Sequence, residues 1–274
     1  MIRIVTALHA EARPLIDHFS LRARQGKPPF PLFEGDDAVL VVSGIGRVSC
    51  AAATGWLGGA TAPGGGSGWL NVGVCGHASL APGTCRIAHR IEDATAGRRW
   101  YPPQILDNSC ESASLRTVER PETVYPCDSL YDMEASGFYP SALRFASAEL
   151  VQCIKVVSDN AGSDPSRITP GFVEGLVSEV MPRIAQFAGQ IGKLAADLES
   201  IHADPPETAA FLSRWRFTVT QRHQLLELLQ RWRALHPDRP LDPGDFPTRA
   251  TTKALLREMR ARTDHPPSPG DIAG

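Results

Sequence analysis

Three carboxylates stand where this chain has the residues for acid–base chemistry: Glu11, Glu134 and Asp159. Glu11 follows an apolar run at residues 2–8, Glu134 lies inside YDMEASGF, and Asp159 closes the apolar run at residues 150–157. Glycine-bearing turns accompany them at residues 44–46 and 73–76. Paired carboxylates suit reactions through oxocarbenium-like states, because one acid protonates a leaving group while another handles water. That chemistry requires the three groups, far apart in the chain, to share one rim.

The order of elements supplies such a rim. Residues 2–8 form a short apolar run rich in β-branched residues, and Glu11, Leu15, Ile16 and Phe19 then recur at helical spacing. A second strand at 37–43 is stopped by Gly44-Ile45-Gly46 and followed by an alanine-rich helix at 48–57. GGATAPGGGSG, at 58–68, reads as a flexible surface loop, and strands follow at 69–74 and 84–91. Residues 92–128 carry too many Pro, Ser, Asn and charged residues for more than short strands and loops. Residues 132–148 read as a helix that Pro140 must kink or restart, and 150–157 as a strand.

From residue 172 apolar residues fall at helical spacing over 172–200, 208–216, 221–235 and 251–262. The alternation of strand and helix predicts a three-layer α/β sheet with extra C-terminal helices. It divides the chain into residues 1–200, a helical extension at 201–264 and a disordered tail at 265–274. In open α/β sheets ligands bind at the carboxyl ends of strands, where loops converge and helix amino termini point N–H groups at the crevice. A helix over 134–147 and the returning strand 151–157 both span about 20 Å, so Glu134 and Asp159 are expected at one edge.

Composition narrows the class further. The 274 residues carry 28 Lys+Arg against 30 Asp+Glu, with 42% hydrophobic and 21% charged. Those proportions exclude a disordered chain and a globally basic nucleic-acid binder. Six cysteines form no C-x-x-C pair, which points to buried thiols in a reducing compartment rather than zinc. The first residues show neither a membrane span nor a basic region with a cleavage site, and the expectation is a soluble cytoplasmic protein without metal.

At these same residues the chain resembles the nucleoside phosphorylase/nucleosidase superfamily, most closely methylthioadenosine/S-adenosylhomocysteine nucleosidases and hopanoid-associated nucleosidases. The resemblance runs in order over about residues 1–160: VTALHAEARPL, VVSGIGRVSCAAAT, LNVGVCGH, SLRTVERP, YDMEASGF and CIKVVSDNAG. It implies a mixed three-layer αβα sheet and hydrolysis of the N-glycosidic bond of a purine nucleoside or 5′-modified adenosine, without a cofactor. Asp159 would protonate the purine N7, Glu134 would hold the ribose 2′-hydroxyl and Glu11 would activate water. Ser158 would orient Asp159 and Met133 would lie against the sugar, while Ile45, Val74, Cys75, Gly76, His77 and Tyr131 would line the pocket. His77 stands where the family has a second glycine. The resemblance also implies a homo-oligomer.

Alternatives remain open on the residues alone. Phosphorylases of the superfamily hold phosphate near the first strand's end; Glu11 would repel it, although Arg13 and Arg47 could still reach it. Phosphate would then be the co-substrate. A catalytically weak nucleoside-binding protein on the same fold is the third reading. Gly44-Ile45-Gly46-Arg47-Val48-Ser49 fails as a dinucleotide fingerprint, because its third glycine is a serine and no acidic residue ends a second strand about 20 residues on. The basic stretch with Arg214, Arg216, Arg222, Arg231, Arg233, Trp215 and Trp232 reads as a solvated face with aromatics packed inward, not as a nucleic-acid surface.

Overall fold

A computed structural model describes residues 1–60, 67–107, 110–163, 168–247 and 250–264. In chain order the first elements are β1 (Ile2–Thr6), α1 (His9–His18), β2 (Arg22–Ala23), β3 (Leu32–Glu34), β4 (Ala38–Val42) and α2 (Arg47–Ala60). Next come β5 (Gly68–His77), β6 (Cys85–Asp93), β7 (Arg99–Trp100), β8 (Ser112–Thr117), β9 (Leu130–Asp132), α3 (Ala135–Ala142), β10 (Val151–Asn160) and α4 (Pro170–His202).

The strands form one mixed sheet of three layers with the helices. Every residue of β1 and β4 is buried, as parallel strands covered on both faces must be. One face packs Ile4, Leu40, Val72 and Ile154 with residues of α1 and α4, such as Leu15 and Ile184. The other packs Val5, Val41, Cys153 and Val157 with Cys50 and Leu57 of α2 and Phe138 of α3.

Strand β5 organises the sheet. It runs parallel to β1 and to β10, and Gly76 near its end also pairs antiparallel with Tyr131 of β9. Because β10 pairs with β6, β6 with β8, and β8 with β9, this last contact closes a ring of five strands. Closure carries residues 132–134 to the carboxyl ends of β5 and β10. A bulge finishes the arrangement: Val157 faces Cys75 and Asp159 faces Gly76, leaving Ser158 extra. Such an insertion breaks the alternation of a regular strand and re-aims the side chains after it.

Two expectations change. The helix after Glu134 is eight residues long, not fourteen; Pro140 sits inside it, and the chain turns after Leu143 into a short 3-10 helix at Ala148–Leu150. The turn stacks Phe145 on Trp69, ring centroids 5.7 Å apart, and lays it against Gly58, where a side chain would collide with the ring. Residues 58–60, expected in a loop, end α2, and 61–66 lie outside the described residues. Strands β2 and β3 extend the sheet beyond β4 and were not anticipated.

Contacts separate Met1–Ile201 from His202–Gly274. The second unit holds α5 (Thr208–Arg214), α6 (Val219–Leu235) and α7 (Thr252–Asp264) around a core of Phe211, Leu225, Leu229, Trp232, Leu255 and Met259. The indoles of Trp215 and Trp232 donate to the carbonyls of Ala250 (3.1 Å) and Arg239 (2.6 Å), so both aromatics point inward. Arg222 and Arg231 pair with Asp204 and Asp264. The expected tail at 265–274 lies outside the described residues. Among the described residues no helix is long and apolar enough to cross a membrane.

Candidate active site

The carboxyl ends of β1, β5 and β10 surround a cavity of about 190 Å³. Glu11, Glu134 and Asp159 all line it, with Ile45, Val74, Cys75, Gly76, Tyr131, Met133 and Ser158. Each carboxylate is held differently.

Glu11 lies in the first turn of α1 and is buried. Its Oε2 accepts the N–H groups of Ala7 (2.9 Å) and Leu8 (2.8 Å), and its Oε1 accepts that of Val74 (2.8 Å). Burial raises its pKa, while Lys155 and the three N–H groups oppose the rise. A Cβ at Gly73 would stand 2.9 Å from Oε1, so this position needs glycine. A carboxylate oxygen can accept two hydrogen bonds, so Oε1 keeps capacity for a water, as a base needs.

Glu134 precedes α3 and reaches across to the turn after β4, where its Oε1 accepts the Gly46 N–H at 2.9 Å. Gly44 and Gly46 have φ of +80° and +101°, values that bulky residues avoid. Burial, then Asp132, push the Glu134 carboxyl up to about 7, against the pull of Lys155. Asp159 stands just past the bulge in β10. Its Oδ1 accepts from the Ser158 hydroxyl at 2.5 Å, and its Oδ2 from the Tyr125 hydroxyl.

Beneath them lies an ion pair that sequence reasoning missed. The Lys155 ammonium meets Asp132 Oδ2 at 2.8 Å, with side chains 1% and 0% exposed. Burial disfavours the ammonium, but Asp132 and then Glu134 more than offset this and raise its pKa. Asp132 also accepts the Thr117 hydroxyl (2.7 Å) and the Ala135 N–H (2.8 Å), fastening the start of α3. A single lysine within the apolar strand VQCIKVV was the available signal. Tyr125 carried none, because its segment has no periodicity.

His77 is the candidate that does not line the cavity. Its Nδ1 accepts the N–H groups of Ser79 (3.1 Å) and Leu80 (3.0 Å), which leaves Nε2 to donate to Asp128 at 3.2 Å. The ring therefore builds the turn after β5. Arg13 and Arg47 also stand away from the cavity lining, engaged by Asp17 at 3.0 Å and by Asp93 and Glu119 respectively. A larger hollow of about 540 Å³, between α6 and α7, is lined by groups such as Gln224, Lys253 and Arg257 and by no carboxylate. Among the described residues no cluster of three or more His, Cys, Asp or Glu side chains is placed to hold a metal ion.

No family profile and no curated protein matches this sequence. Solved structures do. A 5′-methylthioadenosine/S-adenosylhomocysteine nucleosidase from Colwellia psychrerythraea, in complex with adenine, is 18% identical with a TM-score of 0.57, over 70% of this chain and 96% of that one. The Campylobacter jejuni nucleosidase of the same kind is 16% identical with a TM-score of 0.56, over 70% and 98%. That from S. pneumoniae, with the transition-state inhibitor MT-ImmA, is 21% identical with a TM-score of 0.53, over 70% and 99%. The chain thus has the nucleoside phosphorylase/nucleosidase fold, in the form seen in these nucleosidases, with additional C-terminal helices.

Proposed function

We propose that this protein hydrolyses the N-glycosidic bond of a purine nucleoside, of the 5′-modified adenosine type. The observation that carries the proposal is the convergence of Glu11, Glu134 and Asp159 on one cavity at the strand ends. Asp159 gives its proton to N7, so that the base departs neutral. Glu134 faces the ribose, holds its 2′-hydroxyl and offsets the positive charge developing on the ring. Glu11, its proton affinity raised by burial, takes the proton of the attacking water. Lys155 positions this array through Asp132 and moderates the mutual repulsion of the acids.

Hydrolysis is favoured over phosphorolysis because neither Arg13 nor Arg47 is among the residues that line the cavity, where a phosphate clamp would have to stand. Adenine release from methylthioadenosine, adenosylhomocysteine or 5′-deoxyadenosine is the first assay. Asp159→Asn is expected to lower the rate ~10²–10⁴-fold; undiminished turnover refutes the acid assignment, and turnover that requires added phosphate refutes hydrolysis. A binding protein of low activity is the second reading, supported by the engagement of both Asp159 oxygens by protein hydroxyls. Nucleoside binding without base release would establish it. The working form is expected to be a homo-oligomer, which a monomer by light scattering at micromolar concentration overturns.

A further inference from the structure

At about 190 Å³ the cavity is small for a nucleoside, since small-molecule sites generally begin at roughly 300 Å³. Tyr125 lines this cavity beside Asp159. Its ring, 6% exposed, packs edge-on to Tyr131 with centroids 5.5 Å apart. Its hydroxyl lies so near the β5 backbone that a Cβ built on Gly76 would meet the oxygen at 2.5 Å. That hydroxyl donates to Asp159 Oδ2.

The segment around it is shaped to deliver the ring. Glu122 Oε1 accepts the N–H groups of Thr123 and Val124, both at 3.0 Å, which curls the chain just before Tyr125. Val124 is left exposed while Tyr125 turns in. Tyr125 itself has φ +51°, the left-handed region that costs a bulky residue backbone energy. The inward position is therefore held by packing and by the Asp159 hydrogen bond, against local preference.

We propose that Tyr125 determines what the base subsite accepts, by standing in for the base until a suitable ligand displaces it. This rests on the nucleosidase reading of the site. The phenol supplies a flat ring and a hydrogen bond at Asp159, the two contacts a bound purine would make there. Entry is thus open to a planar heteroaromatic that replaces both the hydrogen bond at Asp159 Oδ2 and the ring contact with Tyr131. A ligand lacking either leaves Tyr125 in place. The affinity of any accepted base is reduced by the share of molecules in which the phenol is in.

The test uses the full chain, with adenine as probe. By calorimetry Y125F is expected to bind adenine about tenfold more tightly, since the competing hydrogen bond to Asp159 is gone. Y125A is expected to bind at least as tightly as Y125F. In the unmodified protein, adenine is expected to speed nitration of Tyr125 by tetranitromethane, read by peptide mass. Equal or weaker binding by Y125F, weaker binding by Y125A than by the unmodified protein, or slower nitration with adenine present each overturns the proposal. Tighter binding by Y125F without base release from any nucleoside refutes the nucleosidase reading alone. Base release with adenine affinity unmoved by Y125F refutes the gate alone, and no adenine binding by any of the three proteins refutes both.

Discussion

Lys155→Met removes one partner of a buried ion pair and keeps most of the side-chain volume. At 2.8 Å the two charges attract by about 6 kcal/mol at an effective dielectric constant near 20. Part of that attraction is offset by the desolvation both groups have already undergone, so the expected loss of stability is about 3–5 kcal/mol. For a unit the size of Met1–Ile201, each kcal/mol moves the midpoint by about 2–4 °C, a total fall of about 6–20 °C. Asp132 retains the Thr117 hydroxyl and the Ala135 N–H, but its charge is left without a cation. Asp132→Asn removes that charge and keeps an oxygen for Ala135. The double variant should therefore be less damaged than the sum of the single ones, by about 2–3 kcal/mol. Urea unfolding of the four proteins at pH 7, followed by far-UV circular dichroism, gives the cycle. Losses that add to within about 0.5 kcal/mol would show that ammonium and carboxylate do not depend on each other, and the electrostatic account of the site would fall. A second readout follows from Glu134, whose carboxyl Lys155 pulls downward. Any rising limb of activity governed by Glu134 should move to higher pH in Lys155→Met.

Two other predictions test neighbouring claims. The Glu134 carboxyl, ordinarily near 4.5, titrates near 7 in the folded chain, so the folded state binds this proton more tightly. Its contribution is whole below about 4.5 and is lost as pH rises through about 7, a change of about 3 kcal/mol. Relative to Glu134→Gln, the unmodified protein should lose stability between pH 5 and pH 8 in urea unfolding; parallel profiles contradict the assignment. His77→Ala should cost about 1–3 kcal/mol in the same experiment, because the Ser79 and Leu80 N–H groups lose their acceptor. Adenine affinity should shift less than twofold, and a larger shift by calorimetry would return the imidazole to the base subsite.

Local sequence determined much of this protein. The apolar β-branched runs that became β1, β4, β5 and β10 declare themselves because strands buried on both faces admit few other residues. The long α4 and the three helices of the second unit show as apolar spacing in the same way. Glu11, Glu134 and Asp159 were legible as candidates because strand ends are where loops converge, a rule of topology that needs only the order of elements.

Tertiary structure decided the rest. The ring closed by Gly76 and Tyr131, and the bulge at Ser158, bring residues 132–134 and Asp159 to the rim, and both depend on pairings between segments more than 50 and 80 residues apart in the chain. Just past the end of α3, Phe145 stacks on Trp69, a contact that the helix propensity of the segment does not report. Lys155 and Asp132 are unremarkable alone; only their burial at 2.8 Å makes them the electrostatic floor of the site. Tyr125 and His77 show the same dependence in opposite senses, one drawn into the cavity by Asp159 and the other drawn out of it by two backbone N–H groups. Spacing along a chain reports which face a residue occupies, whereas a hydrogen-bond partner is chosen in three dimensions.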